Sequence, residues 1–159
     1  MLFNIQKNIE LDKYYEKYCD NVNYKYFQII KNDLKNKILL HSIDNKIDSL
    51  NENISSFIIY RKIILKNEIN YIIFLIGVYE DIRNYGYGKV ILDEFIENIR
   101  IKNKSLKKIN ITLHSLDESK YFFINYGFKI IDKSKFLKNY EGWNSKEKFR
   151  GLILQYNVL

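Results

Sequence analysis

The sequence of 159 residues contains no proline, no alanine and one cysteine. A single thiol cannot close an internal disulfide, so Cys19 excludes a disulfide-stabilised secreted scaffold and favours a reducing compartment. Ile, Asn, Lys and Tyr are abundant instead, as expected of a coding sequence poor in G and C. We therefore read the Asn-rich connectors as a product of codon bias and not as low-complexity tails.

Histidine is also scarce, with His41 and His114 as the two examples. No Cys or His partner stands at metal-ligand spacing from either, so we predict no metal site. His41 is interpreted as a packed or exposed side chain, since a lone histidine in such a segment is seldom a ligand.

Long apolar runs are missing as well. The longest, Tyr71 to Val78, is far shorter than the roughly 20 residues that span a bilayer. Met1 to Lys13 lacks the apolar core of a signal peptide. We therefore expect a soluble, cytoplasmic protein with no membrane partner, and the length suits a single domain over residues 1–159.

The net charge of +7 and pI near 9.2 would ordinarily favour nucleic acid or anionic lipid as a partner. Codon bias accounts for much of the lysine, so the charge is only weakly informative. A basic nucleic-acid-binding module that uses Lys and Tyr surfaces remains as an alternative from another class.

Apolar periodicity predicts strands and helices in alternation. The predicted strands are Met1–Ile5, Lys37–Asp44, Ser56–Leu65, Ile69–Val78, Lys108–Leu113, Gly127–Ile131 and Phe149–Leu159, and the predicted helices are Ile9–Cys19, Tyr24–Leu34, Gly88–Arg100 and Asp117–Tyr126. Lys66-Asn67-Glu68 is predicted to turn the chain between two antiparallel strands. Asp132 to Lys148 is a charged connector with three aromatic residues, either a flap over a site or a surface clamp on the core.

The centre of the pattern is a strand, a glycine turn and a helix. Ile69–Val78 is rich in β-branched residues and is followed by the turn Arg83–Lys89 and an amphipathic helix. The first N–H groups of a helix have no internal acceptors and form an anion site. Glycine at 86 and 88 lets a phosphate approach the backbone. Lys89 opposes the helix dipole by roughly 0.3–1 kcal/mol, and a bound phosphate would reverse that sign.

Two common phosphate motifs do not fit this turn. A dinucleotide fingerprint needs glycine at Ile91, and a P-loop needs glycine at Arg83 and Ser or Thr at Val90. The pattern Arg83-x-x-Gly86-x-Gly88 instead resembles the pyrophosphate loop of the GNAT N-acetyltransferases. A second stretch, Phe123-Ile124-Asn125-Tyr126-Gly127-Phe128, resembles the later motif of that family, in the right order and at a fitting distance.

The resemblance implies an α/β fold with a mixed, largely antiparallel twisted sheet of about six to seven strands, about four helices and splayed central strands. It implies acetyl-CoA as co-substrate and a primary amine as acceptor, which the sequence does not identify. A CoA-binding protein without turnover is the alternative within the same fold, and the oligomeric state, monomer or homodimer, stays open. The implied cofactor-binding residues are Ile76, Gly77, Val78, Arg83, Asn84, Tyr85, Gly86, Tyr87, Gly88, Lys89 and Phe123.

In the family, a backbone N–H near the end of the central strand donates to the thioester oxygen, and this end maps to Ile76–Val78. Gly77 there indicates either a bulge with a close ligand approach or simple packing against a neighbour. Lys104, Lys107 or Lys108 would meet the 3′-phosphate of CoA under the resemblance, although a basic connector is usually solvated.

Catalytic residues stay unassigned. Phe123 stands where many family members have the tyrosine that protonates the CoA sulfur, and Leu116 stands where many have asparagine. Tyr121 and Tyr126 point to other faces of the same short helix. The remaining candidate bases, each through a water, are Glu68, Glu80 and His114.

Overall fold

A computed structural model describes residues 2–5, 12–19, 22–43, 54–103, 108–132 and 151–158. Within these residues an open, mostly antiparallel sheet is combined with helices. The elements are β1 (Leu2–Ile5), α1 (Asp12–Tyr18), α2 (Tyr24–Asn32), β2 (Lys37–Ser42), β3 (Ile54–Ile64), β4 (Ile69–Val78), a 3-10 helix (Glu80–Ile82), α3 (Tyr87–Lys102), β5 (Ile109–Ser115), α4 (Lys120–Tyr126), β6 (Lys129–Ile130) and β7 (Leu152–Asn157). The predicted α/β class is confirmed.

The chain divides into two compact units. The first contains Met1–Lys62 and Ile73–Lys104, and the second contains Ile63–Ile72 and Ser105–Leu159. The strand order is β1-β2-β3-β4 in the first unit, which holds the C-terminal part of β4. It is β4-β5-β7-β6 in the second, which holds Ile69–Ile72.

The first unit has an apolar core against α1 and α2. Phe27 from α2, Leu40 from β2 and Phe57 from β3 are almost fully buried there. Helix α3 packs through the predicted stripe, whose five members are all buried: Ile91, Leu92, Phe95, Ile96 and Ile99. The ring of Phe95 meets that of Tyr60 on β3 edge to face, with centroids 4.9 Å apart.

The second unit is built on antiparallel pairing of β5 and β7, from Asn110 opposite Asn157 to Ser115 opposite Leu152. Helix α4 ends at Gly127, whose φ of 115° is left-handed. The next N–H, of Phe128, returns to the carbonyl of Phe123 at 3.0 Å. This bond, with the bond from the Gly127 N–H to the Ile124 carbonyl, forms a helix-ending Schellman motif. The left-handed conformation at residue 127 therefore favours glycine, whereas the bond at residue 128 uses only the backbone N–H of Phe128.

Several predicted boundaries were wrong by a few residues. Helix α2 ends before Asp33, which is extended (φ −68°, ψ 119°). Helix α4 begins three residues late, because the Ser119 N–H closes a turn on the Leu116 carbonyl at 3.2 Å. The left-handed Gly127 also delays the start of β6, which covers Lys129–Ile130. The predicted turn at Lys66–Glu68 is confirmed by a 2.9 Å bond from the Leu65 N–H to the Glu68 carbonyl.

Some predictions fall on residues that the structure does not describe: Lys104, Lys107, Phe136, Tyr140 and Trp143. The splay of the two central strands and the single-domain organisation both stay predictions. Among the described residues, no helix has the length and apolar character to cross a membrane.

Candidate active site

The predicted phosphate turn begins where β4 ends. The 3-10 helix follows Tyr79 directly, and the Ile82 N–H donates to the Tyr79 carbonyl at 3.1 Å. Arg83 folds back over this segment, with Nε donating to the Val78 carbonyl at 3.3 Å. One function of Arg83 is therefore to hold the start of the turn against the end of the strand.

Two left-handed residues then reverse the chain. Asn84 has φ 71° and Gly86 has φ 88°, on either side of the exposed Tyr85. Asparagine and glycine are the residues that reach this conformation most readily. Alternation of right- and left-handed residues turns successive N–H groups to the same side, which makes a concave anion-binding surface.

Helix α3 starts at Tyr87, and three backbone N–H groups at its start make no hydrogen bond within residues 54–103. The N–H groups of Lys89 and Val90 both donate to the Gly86 carbonyl, at 2.9 and 3.1 Å. Within residues 54–103, the N–H groups of Gly86, Tyr87 and Gly88 have no protein acceptor. We call these three amides the cradle. They carry the positive end of the dipole of a 16-residue helix.

The space beside the cradle is open. Apart from Gly86 itself and its two chain neighbours, no atom of the described chain lies within 4 Å of the position that a Cβ on Gly86 would take. Lys89 lies in the first turn with its side chain two-thirds exposed, and Nζ bonds Asp93 Oδ2 at 2.8 Å. Backbone donors, accessible space and an adjacent cation together suit an anionic ligand such as a phosphate.

Packing explains why a glycine, Gly77, stands near the end of β4. A Cβ on Gly77 would stand 2.5 Å from Cε1 of Phe57, closer than real side chains approach. Gly77 is buried between the half-buried Ile76 and Val78. The packing interpretation of Gly77 therefore has direct support, and it is compatible with a ligand role for the neighbouring backbone.

The second motif lies in the second unit. Phe123 is 8% exposed, and its ring contacts those of Phe122 and Phe128, with centroids 5.0 and 5.6 Å away. Tyr126 packs on Phe128 and Tyr156, while Tyr121 is 64% exposed. The turn residues 83–89 and Ile76–Val78 thus share the first unit, and Phe123 belongs to the second.

The candidate bases have different surroundings. Glu68 accepts hydrogen bonds from Lys108 at 2.9 Å, Asn70 at 3.0 Å and Asn110 at 3.2 Å. The Lys108 bond, followed by the Asn70 bond, lowers the pKa of this carboxyl against the opposing effect of burial. Glu68 and Lys108 therefore form an ion pair with each other. Glu80 is exposed, and His114 is half-buried on β5.

The described residues contain no group of three or more His, Cys, Asp or Glu side chains that could hold a metal ion. Sequence reasoning missed one polar cluster, around His41, which is buried at 8% exposure. The available signal was His41 and Ser42 in one predicted strand and Ser56 at the start of the next, because polar residues seldom fill strand interiors without partners.

No family model matches the sequence, and no curated protein matches it. Solved structures do. Tetrahymena GCN5 is similar with a TM-score of 0.65 and 12% identity, over 94% of this chain and 84% of that one. A GNAT-family acetyltransferase from Staphylococcus aureus Mu50 has a TM-score of 0.62 and 16% identity, over 100% of both chains.

A third solved structure is a Bacillus subtilis acetyltransferase in complex with CoA, with a TM-score of 0.60 and 15% identity. The match covers 99% of this chain and 98% of that one. At identities this low, the TM-scores establish a common architecture and no more. The two sequence motifs independently resemble the same group of proteins. The chain has the fold of the GNAT acetyltransferases.

Proposed function

We propose that the protein is an N-acetyltransferase that moves an acetyl group from acetyl-CoA to a primary amine. The observation that carries the proposal is the cradle, three unpaired amides at the start of α3 beside open space at Gly86. A diphosphate would accept these donors, and charge-assisted bonds of this kind contribute about 1.5–3 kcal/mol each.

The residues of the turn have distinct functions in this proposal. Gly86, Tyr87 and Gly88 bind phosphate oxygens through their N–H groups, and Asn84 supplies the left-handed bend that aims them. Arg83 anchors the turn to β4, and its charge adds to the attraction. Lys89 adds a cation in the first turn of α3 and keeps Asp93 paired.

The acetyl group would lie at the end of β4. The amine nitrogen attacks the thioester carbonyl, a C–N bond forms and the C–S bond breaks. The amine proton leaves to solvent, and the electron pair departs with sulfur. A backbone N–H of Ile76–Val78 stabilises the oxyanion. The Tyr79 N–H is excluded from that function, because it donates to the Ser55 carbonyl at 2.9 Å.

The absence of a hydroxyl at Phe123 is compatible with turnover. General acid catalysis is typically worth 10²–10⁴-fold, whereas holding two reactants together contributes about 7–11 kcal/mol. A thiol titrates near pH 8.5, so the CoA thiolate leaves without prior protonation more readily than an alkoxide would. Positioning of the two reactants is therefore expected to contribute more than the missing general acid would.

Titration calorimetry with acetyl-CoA tests the first half of the proposal, and thiol release across a panel of amines tests the second. The panel contains polyamines, amino sugars, free amino acids and peptides with a free N-terminus or lysine. We expect binding below millimolar concentration and thiol release with at least one class. Failure to bind acetyl-CoA at millimolar concentration would contradict the proposal.

A CoA-binding protein without turnover is the second candidate, favoured by Phe123. Its ring is 8% exposed and lies among Phe122 and Phe128, and these three rings carry no hydroxyl. Normal CoA affinity with no thiol release from any amine would support this candidate over the enzyme.

A further inference from the structure

A buried polar cluster in the first unit takes no part in the chemistry above. His41 lies on β2 with Nδ1 2.6 Å from Oγ of Ser55 on β3. Its Nε2 is 3.7 Å from Oε1 of Glu94 on α3. The imidazole therefore stands between the sheet and the helix and faces a partner with each ring nitrogen.

Ser55 connects this imidazole to the end of β4. The pairing of β2 with β3 shifts register between His41 and Ser42, which places an extra residue on β3. The carbonyl of Ser55 accepts the N–H of Tyr79, the residue that follows β4. The strand side of the phosphate turn is thus hydrogen-bonded to the residue that holds His41.

The side chain of Ser55 has three polar neighbours. Its Oγ lies 2.6 Å from His41 Nδ1 and 3.4 Å from Ser56 Oγ, and it donates to the His41 carbonyl at 3.2 Å. Ser55 therefore holds both the ring and the backbone of His41. Burial lowers the pKa of His41, and the Glu94 carboxylate opposes this only in part, which keeps the ring neutral at pH 7.

Glu94 places the other end of the cluster on α3. Tyr87, Ile91 and Glu94 follow at helical spacing, so they share the face that meets the sheet. The rings of His41 and Tyr87 have centroids 6.3 Å apart. Tyr87 supplies one amide of the cradle, so the imidazole lies against the two turns of α3 that begin at the phosphate site.

We propose that His41 is a positioning residue that holds the end of β4 and the start of α3 at the separation the cradle needs. The chain Tyr79, Ser55, His41, Glu94 spans the turn from one flank to the other. The inference rests on the proposed function, because the separation matters only if the cradle binds a diphosphate. His41 itself does not touch the ligand.

Calorimetry with CoA on three variants tests this inference. His41→Leu removes both polar contacts and should raise the Kd about tenfold. His41→Gln retains an amide that reaches Glu94 and should recover at least half of the lost affinity on a logarithmic scale. Leu40→Ala is the matched control, since Leu40 precedes His41 on β2 and packs in the opposite core with Phe57. It should lower the melting temperature and change the Kd less than twofold.

A second pair of variants, with smaller changes, tests the inference if His41→Leu does not fold. Glu94→Gln removes the charge that faces Nε2 and should raise the Kd at least threefold, whereas Glu97→Gln, an exposed site on the same helix, should leave it unchanged. Wild-type protein that does not bind CoA would overturn the proposed function and this inference together. Wild-type binding that is unaltered by Glu94→Gln and by the His41 variants would overturn this inference alone.

Discussion

Gly86 combines two properties that are separable by substitution. Its backbone is left-handed, with φ 88°, and a Cβ there would have no neighbour within 4 Å in the described chain beyond Gly86 itself and the two adjoining residues. The fold requires the left-handed backbone, and asparagine can also adopt that conformation. The second property leaves space that any side chain would occupy.

Gly86→Asn should therefore fold with nearly wild-type stability and bind CoA at least tenfold more weakly, because the new side chain stands on the phosphate path. Gly127→Asn is the matched control, at another left-handed glycine that ends α4. It should leave the Kd for CoA unchanged. Thermal melting and calorimetry give the two readings, and unchanged affinity in folded Gly86→Asn would show that the turn is not the phosphate site.

Substitution of Gly77 tests its close packing against Phe57. Gly77→Ala places a Cβ 2.5 Å from Cε1 of Phe57, and overpacking of this kind typically costs 1–3 kcal/mol. Phe57→Leu shortens the side chain that clashes, so the double variant should lose less stability than the two single variants summed. Urea denaturation of the four proteins measures this coupling. Strict additivity would mean that Phe57 is not what excludes a side chain at Gly77.

Helix α3 joins the fold to the proposed ligand through its dipole. Lys89 lies in the first turn, where a cation is unfavourable by about 0.3–1 kcal/mol, although its bond to Asp93 offsets part of that. Without ligand, Lys89→Gln should change the free energy of unfolding by less than about 0.5 kcal/mol.

With ligand, the same Lys89→Gln should weaken CoA several-fold, because a cation beside the phosphates is lost. Lys102→Gln, in the last turn of α3, is the control: it removes a favourable dipole interaction and should not affect CoA. Equal CoA affinity for Lys89→Gln and wild type would remove Lys89 from the site.

Glu68 should make the stability of the protein depend on pH. Its bonds to Lys108 and then Asn70 lower its pKa in the folded state below the ordinary value of 4.5. The carboxylate therefore stabilises the fold above that value, and this stabilisation is lost as the pH falls through the lowered pKa.

Glu68→Gln should accordingly be less stable than wild type at pH 7, and the difference should shrink as the pH falls below 4.5 and through the lowered pKa. Urea denaturation between pH 3 and 7 measures the difference, with the exposed Glu97→Gln as control. A difference between wild type and Glu68→Gln that is constant with pH would contradict the assignment.

Some elements could be predicted from the sequence and others could not, for physical reasons. Strand β4 was predicted with the observed bounds, Ile69–Val78, since a long β-branched run between turns has few alternatives. The left-handed backbone at Asn84 and Gly86 was not predicted, although both residue types favour that conformation. The contact between Gly77 and Phe57 could not be predicted, because it joins residues 20 positions apart on different strands. The function of His41 depends on a register shift that no periodicity records.

At the scale of the whole molecule, the fold is shared with proteins of 12–16% identity. So low an identity over nearly full length means that most positions tolerate substitution as long as strands, helices and their apolar faces persist. The two glycine-containing motifs are the local features that resemble the family. The net charge of +7 gives the protein an overall positive potential, which favours the approach of anions.

In the proposed function, the amides at the start of α3 receive the diphosphate of CoA. Proton–nitrogen correlation spectra of the labelled protein, recorded as CoA is added, test this claim most directly. We predict the largest downfield amide proton shifts at Gly86, Tyr87 and Gly88. Saturating CoA that leaves these three resonances in place, or that shifts a different set of amides instead, would contradict the claim.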